Sequence, residues 1–253
     1  TPENTRYIPA AVAGLAAADV PKLKLRWAFA YPRSVRVRSQ PVLAGGALYV
    51  GGQDGTVYAL DADSGCARWT YRAQAEIRGG IALGPWRTHD GGARPPRAYL
   101  GDAGGRVYAL DLVTGKEVWT GKIDYHPRLT ISAQPVYHDG LLYVPTSSGE
   151  EGSAMDPHYD CCSFRGAIVA FDAGTGAPQW HAYTIAEAAR PVGKTAAGAT
   201  TMAPSGAPVW NSPTVDVRRG RLYFGTGDNY SRPANDTSDA IMAIDARTGA
   251  RAW

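Results

Sequence analysis

One ten-residue phrase occurs four times along the chain, and this repetition restricts the fold more than any other feature. In each copy an Asp side chain can accept hydrogen bonds from backbone amides two or three residues further on, and a Gly supplies a positive φ without steric cost. Each copy therefore predicts a β-hairpin that ends in a large, amphipathic Trp, which we expect to pack against the neighbouring repeat. The copies are LDADSGCARW, LDLVTGKEVW, FDAGTGAPQW and IDARTGARAW, ending at Trp69, Trp119, Trp180 and Trp253.

A second hairpin precedes each copy, as in QPVLAGGALYVGG, QPVYHDGLLYVPT and SPTVDVRRGRLYFGTG, with a degenerate version in GGIALGPW…RAYLGD. Each unit therefore contains four short strands. Counted from Trp27, the tryptophans that end the units are 42, 50, 61 and 73 residues apart. A repeating unit of four strands and at least ~40 residues is typical of a propeller blade. The growing spacing predicts insertions, which in repeat proteins usually collect on one face.

Composition supports an all-β chain and argues against some classes of partner. The 253 residues are 44% hydrophobic, and 30 Gly, 18 Pro, 14 Tyr and 7 Trp favour many short strands and turns. The net charge of +3 comes without a basic run, which argues against nucleic acid as a partner. No apolar stretch is long enough to span a membrane, and no signal peptide is recognised. The first residues, TPENTRYIPA, favour a processed or trimmed chain.

The number of outer strands predicts a ring larger than four blades. There are four sets of inner strands but five outer strands that end in Trp, if LKLRW before Ala28 is included. We interpret LKLRW as the strand that closes the last blade of a larger ring; the alternative is a loose leader. The predicted divisions are a leader with the ring-closing strand at 1–26, and four blades at about 27–72, 73–122, 123–184 and 185–253.

The repeated phrase resembles the tryptophan-docking motif of the quinoproteins, the eight-bladed alcohol dehydrogenases that use pyrroloquinoline quinone (PQQ). Non-catalytic propellers, such as the outer-membrane assembly scaffold lipoprotein, carry similar repeats, so the phrase alone does not identify a function. Three further stretches are similar to the polyvinyl-alcohol dehydrogenase branch of the family. They are NTRYIPAAVAGLAAADVPKLKLRWAFAYP, SSGEEGSAMDPHYDCCSFRG and VWNSPTVDVRRGRLYFGTGDNYS. The resemblance implies that the four blades belong to an eight-bladed ring.

Four repeat-equivalent positions at the start of the inner strands carry Arg38, Arg78, Ser132 and Trp210. Packing alone would place the same apolar residue at each of them. Two guanidinium groups, a hydroxyl and an indole instead suit a flat polyanion such as PQQ. The alternative is that Trp210 fills the core and the arginines are solvated. In the quinoproteins a Trp lies beneath the cofactor, and the resemblance assigns this place to Trp210.

The resemblance also implies a calcium site. The family has Asn in a Gly-Thr-Gly-Asn loop, where this chain has Asp228 followed by Asn229, and either oxygen could bind calcium. A simple polar turn is the alternative. The stretch SSGEE is similar to the family's Ser-Gly-Ala-Glu loop, so Ser148 and Gly149 are expected to contact the cofactor. Glu151 is expected to bind calcium, although Glu150 beside it leaves the choice open.

Two neighbouring cysteines, Cys161 and Cys162, lie in the longest acidic loop. A bond between adjacent cysteines is rare, because their Cα atoms are closer than the usual ~4.4–6.8 Å. The resemblance implies such a disulfide, covering the cofactor opposite the Trp, in the blade where the polyvinyl-alcohol branch has it. Two reduced thiols, or half of a zinc site with His158, are the alternatives. Cys66 is expected to be a free thiol.

The function implied is a PQQ- and calcium-dependent dehydrogenase that oxidises alcohol groups, such as secondary hydroxyls of polyvinyl alcohol, and passes electrons to cytochrome c. Calcium would act as a Lewis acid. The family's catalytic Asp follows the fourth docking Trp, here Trp253, so no catalytic residue is assigned within the chain. A periplasmic or secreted location would let a disulfide persist. The alternative is a non-catalytic propeller that binds proteins on its loop face, against which Trp210, Glu151 and the cysteine pair argue.

Overall fold

The computed structural model describes residues 8–32, 34–85 and 95–253. Residues 1–7 of the predicted leader, Arg33, and residues 86–94 of the predicted second blade lie outside the described residues. The all-β prediction is confirmed, because helices are confined to α1 (Ala10–Ala13), α2 (Glu150–Ser153) and a 3-10 helix at Ala17–Lys22 among the described residues. None of these helices has the length and apolar composition needed to cross a membrane.

The strands form successive antiparallel sheets, and within each main sheet their spatial order follows the chain. The first sheet contains β1 (Val42–Ala44), β2 (Ala47–Gly51), β3 (Thr56–Asp61) and β4 (Ala67–Arg72). The second contains β5 (Ala82–Leu83), β6 (Arg97–Gly101), β7 (Arg106–Asp111) and β8 (Glu117–Lys122).

The later sheets are larger and less regular. In the third, β9 (Leu129–Thr130) pairs with the end of β11 (Leu141–Ser148), which lies between β10 (Val136–His138) and β12 (Ala167–Asp172), followed by β13 (Pro178–Tyr183). A separate hairpin contains β14 (Arg190–Lys194) and β15 (Thr200–Ala203). The fourth main sheet contains β16 (Thr214–Asp216), β17 (Arg221–Gly225) and β18 (Ile241–Asp245).

The repeated phrase folds into the predicted Asp turn. Oδ1 of Asp111 accepts hydrogen bonds from the backbone N–H groups of Val113 and Thr114, at 3.1 and 2.7 Å, and from Oγ1 of Thr114 at 2.8 Å. The glycine that follows, Gly115, has φ of 71°. A comparable Asp turn forms in the other three copies, at Asp61, Asp172 and Asp245.

The indole that ends one unit contacts the Asp turn of the next. Nε1 of Trp69 donates to the carbonyl oxygen of Leu112 at 3.1 Å, and a Cβ on Gly115 would lie 2.6 Å from the Trp69 ring. Trp27 and Trp119 donate in the same way, to Ala62 and Ala173. The turn glycine is therefore required both by its backbone conformation and by the close indole.

Trp180 makes the same ring contact but not the same hydrogen bond. A Cβ on Gly249 would lie 2.6 Å from the Trp180 ring. Its Nε1 is buried and has no hydrogen-bond partner among the described residues. The carbonyl oxygen of Ala246, which occupies the position equivalent to Leu112, accepts from the Tyr143 hydroxyl at 3.0 Å, as Leu112 accepts from Tyr49 in addition to Trp69.

The core lies between consecutive sheets. One cluster joins the first and second sheets, as with Val57 and Leu100, and another joins the second and third, as with Val107 and Val144. A third joins the third and fourth sheets, with Tyr143 on one side. Sheets that pack face to face in chain order give a propeller-like architecture.

Two predicted strands are not strands in the structure. LKLRW, ending at Trp27, lies outside any strand, although the Trp27 indole is hydrogen-bonded. The last copy of the phrase, before Trp253, has only an isolated bridge between Ile244 and Arg251 in place of a fourth strand. A strand is stabilised by its neighbour's backbone groups, and the described residues offer LKLRW no such neighbour. The predicted blade boundaries stay a prediction.

Candidate cofactor site

A cavity of about 540 Å³ lies where the inner segments of all four units meet. Its wall includes Arg38 from the first unit, Arg78 from the second, Ser132 from the third and Trp210 from the fourth. These are the four repeat-equivalent positions that the sequence singles out. The fold therefore brings together four side chains that are up to 172 positions apart, Arg38 to Trp210, in the sequence.

The inner segments that form this wall are in direct contact. Oγ of Ser39 donates to the carbonyl oxygen of Gly79 at 2.9 Å and accepts from the N–H of Gly51 at 3.0 Å. A Cβ at Gly79 would lie 2.5 Å from the carbonyl oxygen of Ala133. Only glycine fits between the first and third segments, so the wall is built with little free space behind it.

Three polar groups on the wall, those of Arg38, Arg78 and Ser132, lack partners among the described residues. Arg38 and Arg78 are exposed, and neither forms an ion pair with any residue that the structure describes. Oγ of Ser132 is buried and has no hydrogen-bond partner among those residues. A buried hydroxyl without a partner costs roughly 1–3 kcal/mol. A ligand with acidic groups would pair with both arginines and satisfy this hydroxyl.

Trp210 supplies the flat surface of the wall, with 62% of the residue exposed. The loop Gly225–Asp228 lies behind it, because a Cβ on Gly227 would be 2.7 Å from Nε1 of Trp210. The next side chain, Asn211, donates from Nδ2 to the carbonyl oxygen of Gly225 at 2.7 Å. These contacts hold the indole while leaving a face uncovered. Together with the unpaired Arg and Ser groups, they fit a flat, polyanionic cofactor.

One backbone strip, residues 200–207, joins the Gly225–Asp228 loop behind Trp210 to the cysteines. The N–H of Cys161 donates to Thr200 at 3.0 Å, and the N–H of Met202 donates to Cys161 at 2.7 Å. Further along, Gly206 donates to Phe164 at 2.8 Å. Ala207 then donates to the carbonyl oxygen of Asp228, also at 2.8 Å. Residues 200–207 therefore connect the cysteine segment to the Asp228 loop.

The side chains of Cys161 and Cys162 are adjacent, with their sulfur atoms placed at bonding distance. Cys162 is buried, at 2% exposed, whereas Cys66 is a free, exposed cysteine as predicted. The structure shows no metal cluster at the pair: within residues 8–32, 34–85 and 95–253, no group of three or more His, Cys, Asp or Glu could hold an ion. The function of the pair therefore stays a prediction.

The two adjacent glutamates have different surroundings. Glu150 is fully buried, and its carboxylate accepts from the backbone N–H groups of Ser163 and Phe164. Burial acts to raise the pKa of Glu150, but the hydrogen bonds from His126, Ser163 and Phe164 outweigh it and lower the pKa below its ordinary value. Glu151 is exposed and makes no hydrogen bond or ion pair in the described part of the chain.

Glu151 and Asp228, the carboxylates predicted to bind calcium, both lie close enough to Tyr230 to affect its pKa. The pKa of Tyr230 is raised by burial first, and then by the negative charges of Glu151, Asp228 and Glu150. The side chain of Asn229 differs, because its Oδ1 accepts hydrogen bonds from the backbone and side chain of Asn235. The sequence does not decide between Asp228 and Asn229. In the structure, Asp228 has the freer side-chain oxygen atoms of the two.

Ser148 and Gly149 are not on the cavity wall. Oγ of Ser148 accepts from the N–H of Glu150 at 2.9 Å, and the N–H of Gly149 donates to Arg128 at 3.0 Å. Both residues thus shape the turn that begins α2. Their predicted contact with a cofactor stays a prediction.

The family described as the PQQ glucose/ethanol/alcohol dehydrogenase, β-propeller domain, matches residues 1–253. The chain belongs to this family. It is 41% identical over 242 residues to the polyvinylalcohol dehydrogenase of Sphingopyxis sp. (strain 113P3), covering 93% of this chain and 36% of that protein. It is 37% identical over 250 residues to the polyvinylalcohol dehydrogenase of a Pseudomonas sp., covering 99% of this chain and 38% of that protein.

The chain thus spans little more than a third of the length of these curated relatives. Among solved structures, the quinohemoprotein alcohol dehydrogenase from Comamonas testosteroni matches with a TM-score of 0.64 and 24% identity. That match covers 87% of this chain and 35% of the other, and it supports the fold. Membership in the PQQ family agrees with the cationic and aromatic side chains on the cavity wall.

The residues that support the cysteine segment of this PQQ-family chain were not predicted from the sequence. These are Glu150 and His126, and the hairpin residues Thr200 and Met202. The pair Glu150–Glu151 did mark the position, but nothing in the sequence shows which carboxylate is buried. No sequence pattern links β15 to Cys161, because the two are brought together by a non-local backbone pairing.

Proposed function

We propose that the chain forms the cofactor-binding part of a PQQ- and calcium-dependent alcohol dehydrogenase. The observation that carries this proposal is the convergence of Arg38, Arg78, Ser132 and Trp210 on one cavity. Among the described residues, two guanidinium groups and a buried hydroxyl have no partner, and a face of one indole is uncovered. One flat ligand with several carboxylates satisfies all of them.

In this proposal the guanidinium groups of Arg38 and Arg78 pair with carboxylates, and Ser132 donates its hydroxyl proton to a ligand oxygen. Trp210 provides a stacking surface on one side, and its supporting loop prevents the indole from turning away. PQQ, when bound, supplies the oxidising chemistry by accepting a hydride equivalent from an alcohol carbon. The chain's residues thus bind and orient the oxidant.

The opposite side of the cofactor is assigned to a disulfide between Cys161 and Cys162, with Ser148 and Gly149 nearby. Support comes from the backbone strip that links Cys161 through Thr200–Ala207 to Asp228. For calcium we propose Glu151 and Asp228 as ligands, with Asn229 as the less available neighbour. Both carboxylates act on Tyr230, and Glu151 has no competing partner in the described chain. Calcium prefers such oxygen ligands.

For the architecture we propose four blades of an eight-bladed ring, at about 27–72, 73–122, 123–184 and 185–253, with residues 1–26 as leader and ring-closing strand. The hydrogen bonds of Trp27, Trp69 and Trp119 to the following Asp turns support tryptophan docking between blades. LKLRW supports the larger ring, since its Trp27 is hydrogen-bonded like Trp69 and Trp119, although it pairs with no strand among the described residues.

The substrate we propose is a secondary alcohol, such as the hydroxyls of polyvinyl alcohol, because the two relatives described above are named polyvinylalcohol dehydrogenases. Cytochrome c is the proposed electron acceptor, since another relative is named lupanine 17-hydroxylase [cytochrome c]. A periplasmic or secreted location is proposed because the assigned disulfide needs an oxidising compartment.

A titration with PQQ, with and without calcium, tests the proposal through the absorbance spectrum of the bound quinone. We expect saturable binding to the unaltered protein, loss of binding in Trp210→Ala, and partial retention in Trp210→Phe, which keeps a ring. Trp69→Phe is the matched control, because Trp69 lies in an outer strand away from the cavity. Absence of any spectral change in the unaltered protein with calcium would overturn the proposal.

Substrate preference is measured separately, with an artificial electron acceptor and a longer protein that contains the chain, because no catalytic residue is assigned within the chain itself. The expected result is faster oxidation of polyvinyl alcohol oligomers than of a small primary alcohol. The reverse preference, with PQQ bound, would retain the cofactor proposal and reject the substrate.

A further inference from the structure

We propose that Glu150, oriented by His126, is a positioning residue that holds the Cys161–Cys162 turn in place against the cofactor. The inference rests on the proposed function, because it takes the turn to be one side of the cofactor site. It assigns different roles to two adjacent acids: Glu150 supports the turn, and Glu151 remains available to a cation.

The carboxylate of Glu150 binds the segment directly after the cysteines. The N–H of Ser163 donates to both of its oxygens, at 2.9 and 3.0 Å, and the N–H of Phe164 donates to Oε2 at 2.8 Å. The Tyr159 hydroxyl, on the other side of the cysteines, donates to Oε1 at 3.2 Å. One side chain thus joins both ends of the turn.

His126 adds a further donor, and its tautomer follows from its contacts. Nδ1 accepts the backbone N–H of Arg128 at 3.1 Å, so the ring proton of a neutral imidazole lies on Nε2. Nε2 is 3.3 Å from Oε1 of Glu150 and 3.1 Å from Oγ of Ser163. The buried imidazole therefore orients the carboxylate toward the turn.

The other side of the turn is held by β15. Cys161 donates its N–H to Thr200 and accepts from Met202, so its backbone is bonded in both directions. Fixing Cys161 on one side and Ser163 on the other leaves Cys162 little freedom between them. The position of Cys162 thus depends on two supports, a strand and a carboxylate.

The same contacts make Glu150 unsuitable as a metal ligand. An ionised carboxylate has about four lone-pair sites. Ser163, Phe164, Tyr159 and His126 provide donors for all of them. A cation at this position would face the N–H groups directly. Glu151 has no such partners within the described residues, which is why the two adjacent acids are expected to respond differently to substitution.

The rate at which an added phosphine reduces the Cys161–Cys162 bond tests the inference. Cys161 is half-buried and Cys162 is buried, so attack on the bond between them is faster when the turn opens locally, and the rate reports how firmly the turn is held. Hydrogen bonds to a charged group are the strong ones, and losing them in Glu150→Ala should accelerate reduction by about tenfold or more. Glu150→Gln keeps one acceptor oxygen and should give an intermediate rate, and His126→Phe a smaller acceleration.

Two controls separate positioning from general loss of stability. Glu151→Gln removes the neighbouring carboxylate and should leave the reduction rate within about twofold of the unaltered protein, since Glu151 has no contact with the turn in the described chain. Val57→Ala removes buried packing in the first sheet, in a core cluster that does not include the turn. If Val57→Ala, at an equal loss of Tm, accelerates reduction as much as Glu150→Ala does, the positioning role is wrong.

PQQ binding to the same variants distinguishes this inference from the proposed function. We expect Glu150→Gln to bind PQQ about tenfold more weakly while its calcium affinity is kept, and Glu151→Gln to show weakened calcium binding. If the unaltered protein does not bind PQQ, the proposed function fails. If it does bind PQQ, but Glu150→Ala is reduced at the unaltered rate or the unaltered protein has two free thiols, the positioning inference fails.

Discussion

The outer hairpins and the inner wall of the cavity are built from the same four repeats. The outer hairpins have the same residue types at equivalent positions, whereas the inner wall does not. On the outside, each unit has the same Asp turn and the same positive-φ glycine, and this glycine contacts the Trp that precedes it in the repeat, namely Trp27, Trp69, Trp119 or Trp180. On the inside, equivalent positions carry Arg38, Arg78, Ser132 and Trp210. Repetition indicates a shared structural demand, and its loss at one position indicates a demand made by something asymmetric, such as a ligand.

The largest effect should come from replacing the tryptophans. One variant removes an outer-strand Trp, and the other removes the Trp of the cavity wall. Trp119 is 8% exposed and Trp210 is 62% exposed. Trp119→Ala should lower the free energy of unfolding by about 3–5 kcal/mol, as is usual for a buried aromatic residue. Trp210→Ala should change it by less than about 1 kcal/mol and remove PQQ binding. Urea unfolding and a PQQ titration measure both; equal stability losses would break the comparison.

Two glycines test whether the outer contact or the backbone conformation matters more. Gly115 and Gly140 both have positive φ, 71° and 81°, but only Gly115 has an indole where its Cβ would lie. Gly140→Ala should cost about 1 kcal/mol from the strained conformation. Gly115→Ala should cost about 1–3 kcal/mol more, because the new methyl group overlaps the Trp69 ring. Similar unfolding midpoints for the two variants would mean that the indole moves aside without cost.

The arginines of the inner wall should affect binding and leave stability unchanged. Arg38→Gln and Arg78→Gln should each weaken PQQ binding about tenfold, since each removes one charge-assisted contact. The unfolding free energy should stay within about 0.5 kcal/mol, because both side chains are exposed and unpaired among the described residues. The effect should shrink at high salt. A loss of stability without a change in affinity would place these arginines with the structural residues.

The smallest effect concerns the pH dependence of an outer turn. The pKa of Asp61 lies below the ordinary 3.8, because the Arg68 side chain and then Ser64 donate hydrogen bonds to the carboxylate. A lowered pKa in the folded state contributes stability above the unfolded value, which is lost as the pH falls below about 4. Asp61→Asn should therefore lower Tm slightly at pH 7, with a difference that shrinks toward pH 2.

A second variant checks the cause of this shift. Arg68→Gln removes the first of the donors and should reproduce part of the same pH dependence in a thermal melt. A difference between Asp61→Asn and the unaltered protein that stays constant from pH 7 to pH 2 would exclude the ionised turn as its origin.

The sequence predicts the outer part of the molecule well because its determinants are local. The Asp turn and the short strands around it depend on residues within one phrase, so four copies could be recognised together. The four inner-wall positions were also predictable, since repeat equivalence aligns Arg38 with Trp210 and the others. Both predictions come from comparing the four repeats of the chain with one another.

The remaining features depend on contacts between distant segments. Glu150 and Glu151 are adjacent and chemically identical, and only the fold buries one of them against Ser163. The partner of Cys161 is Thr200, in a hairpin of the fourth unit that has no equivalent in the described parts of the other units. The strand predicted at LKLRW fails for a related reason, since pattern alone cannot supply the neighbour that a strand requires.

The chain order of the strands has a consequence for biosynthesis. Each main sheet is a run of strands adjacent both in sequence and in space, so a sheet needs only its own segment to form. The first sheets can therefore fold on the ribosome while later residues are still being added. The cysteine turn cannot form this early, because Cys161 is hydrogen-bonded to Thr200 and Met202, which are synthesised later. The cavity wall likewise stays incomplete until the fourth unit supplies Trp210.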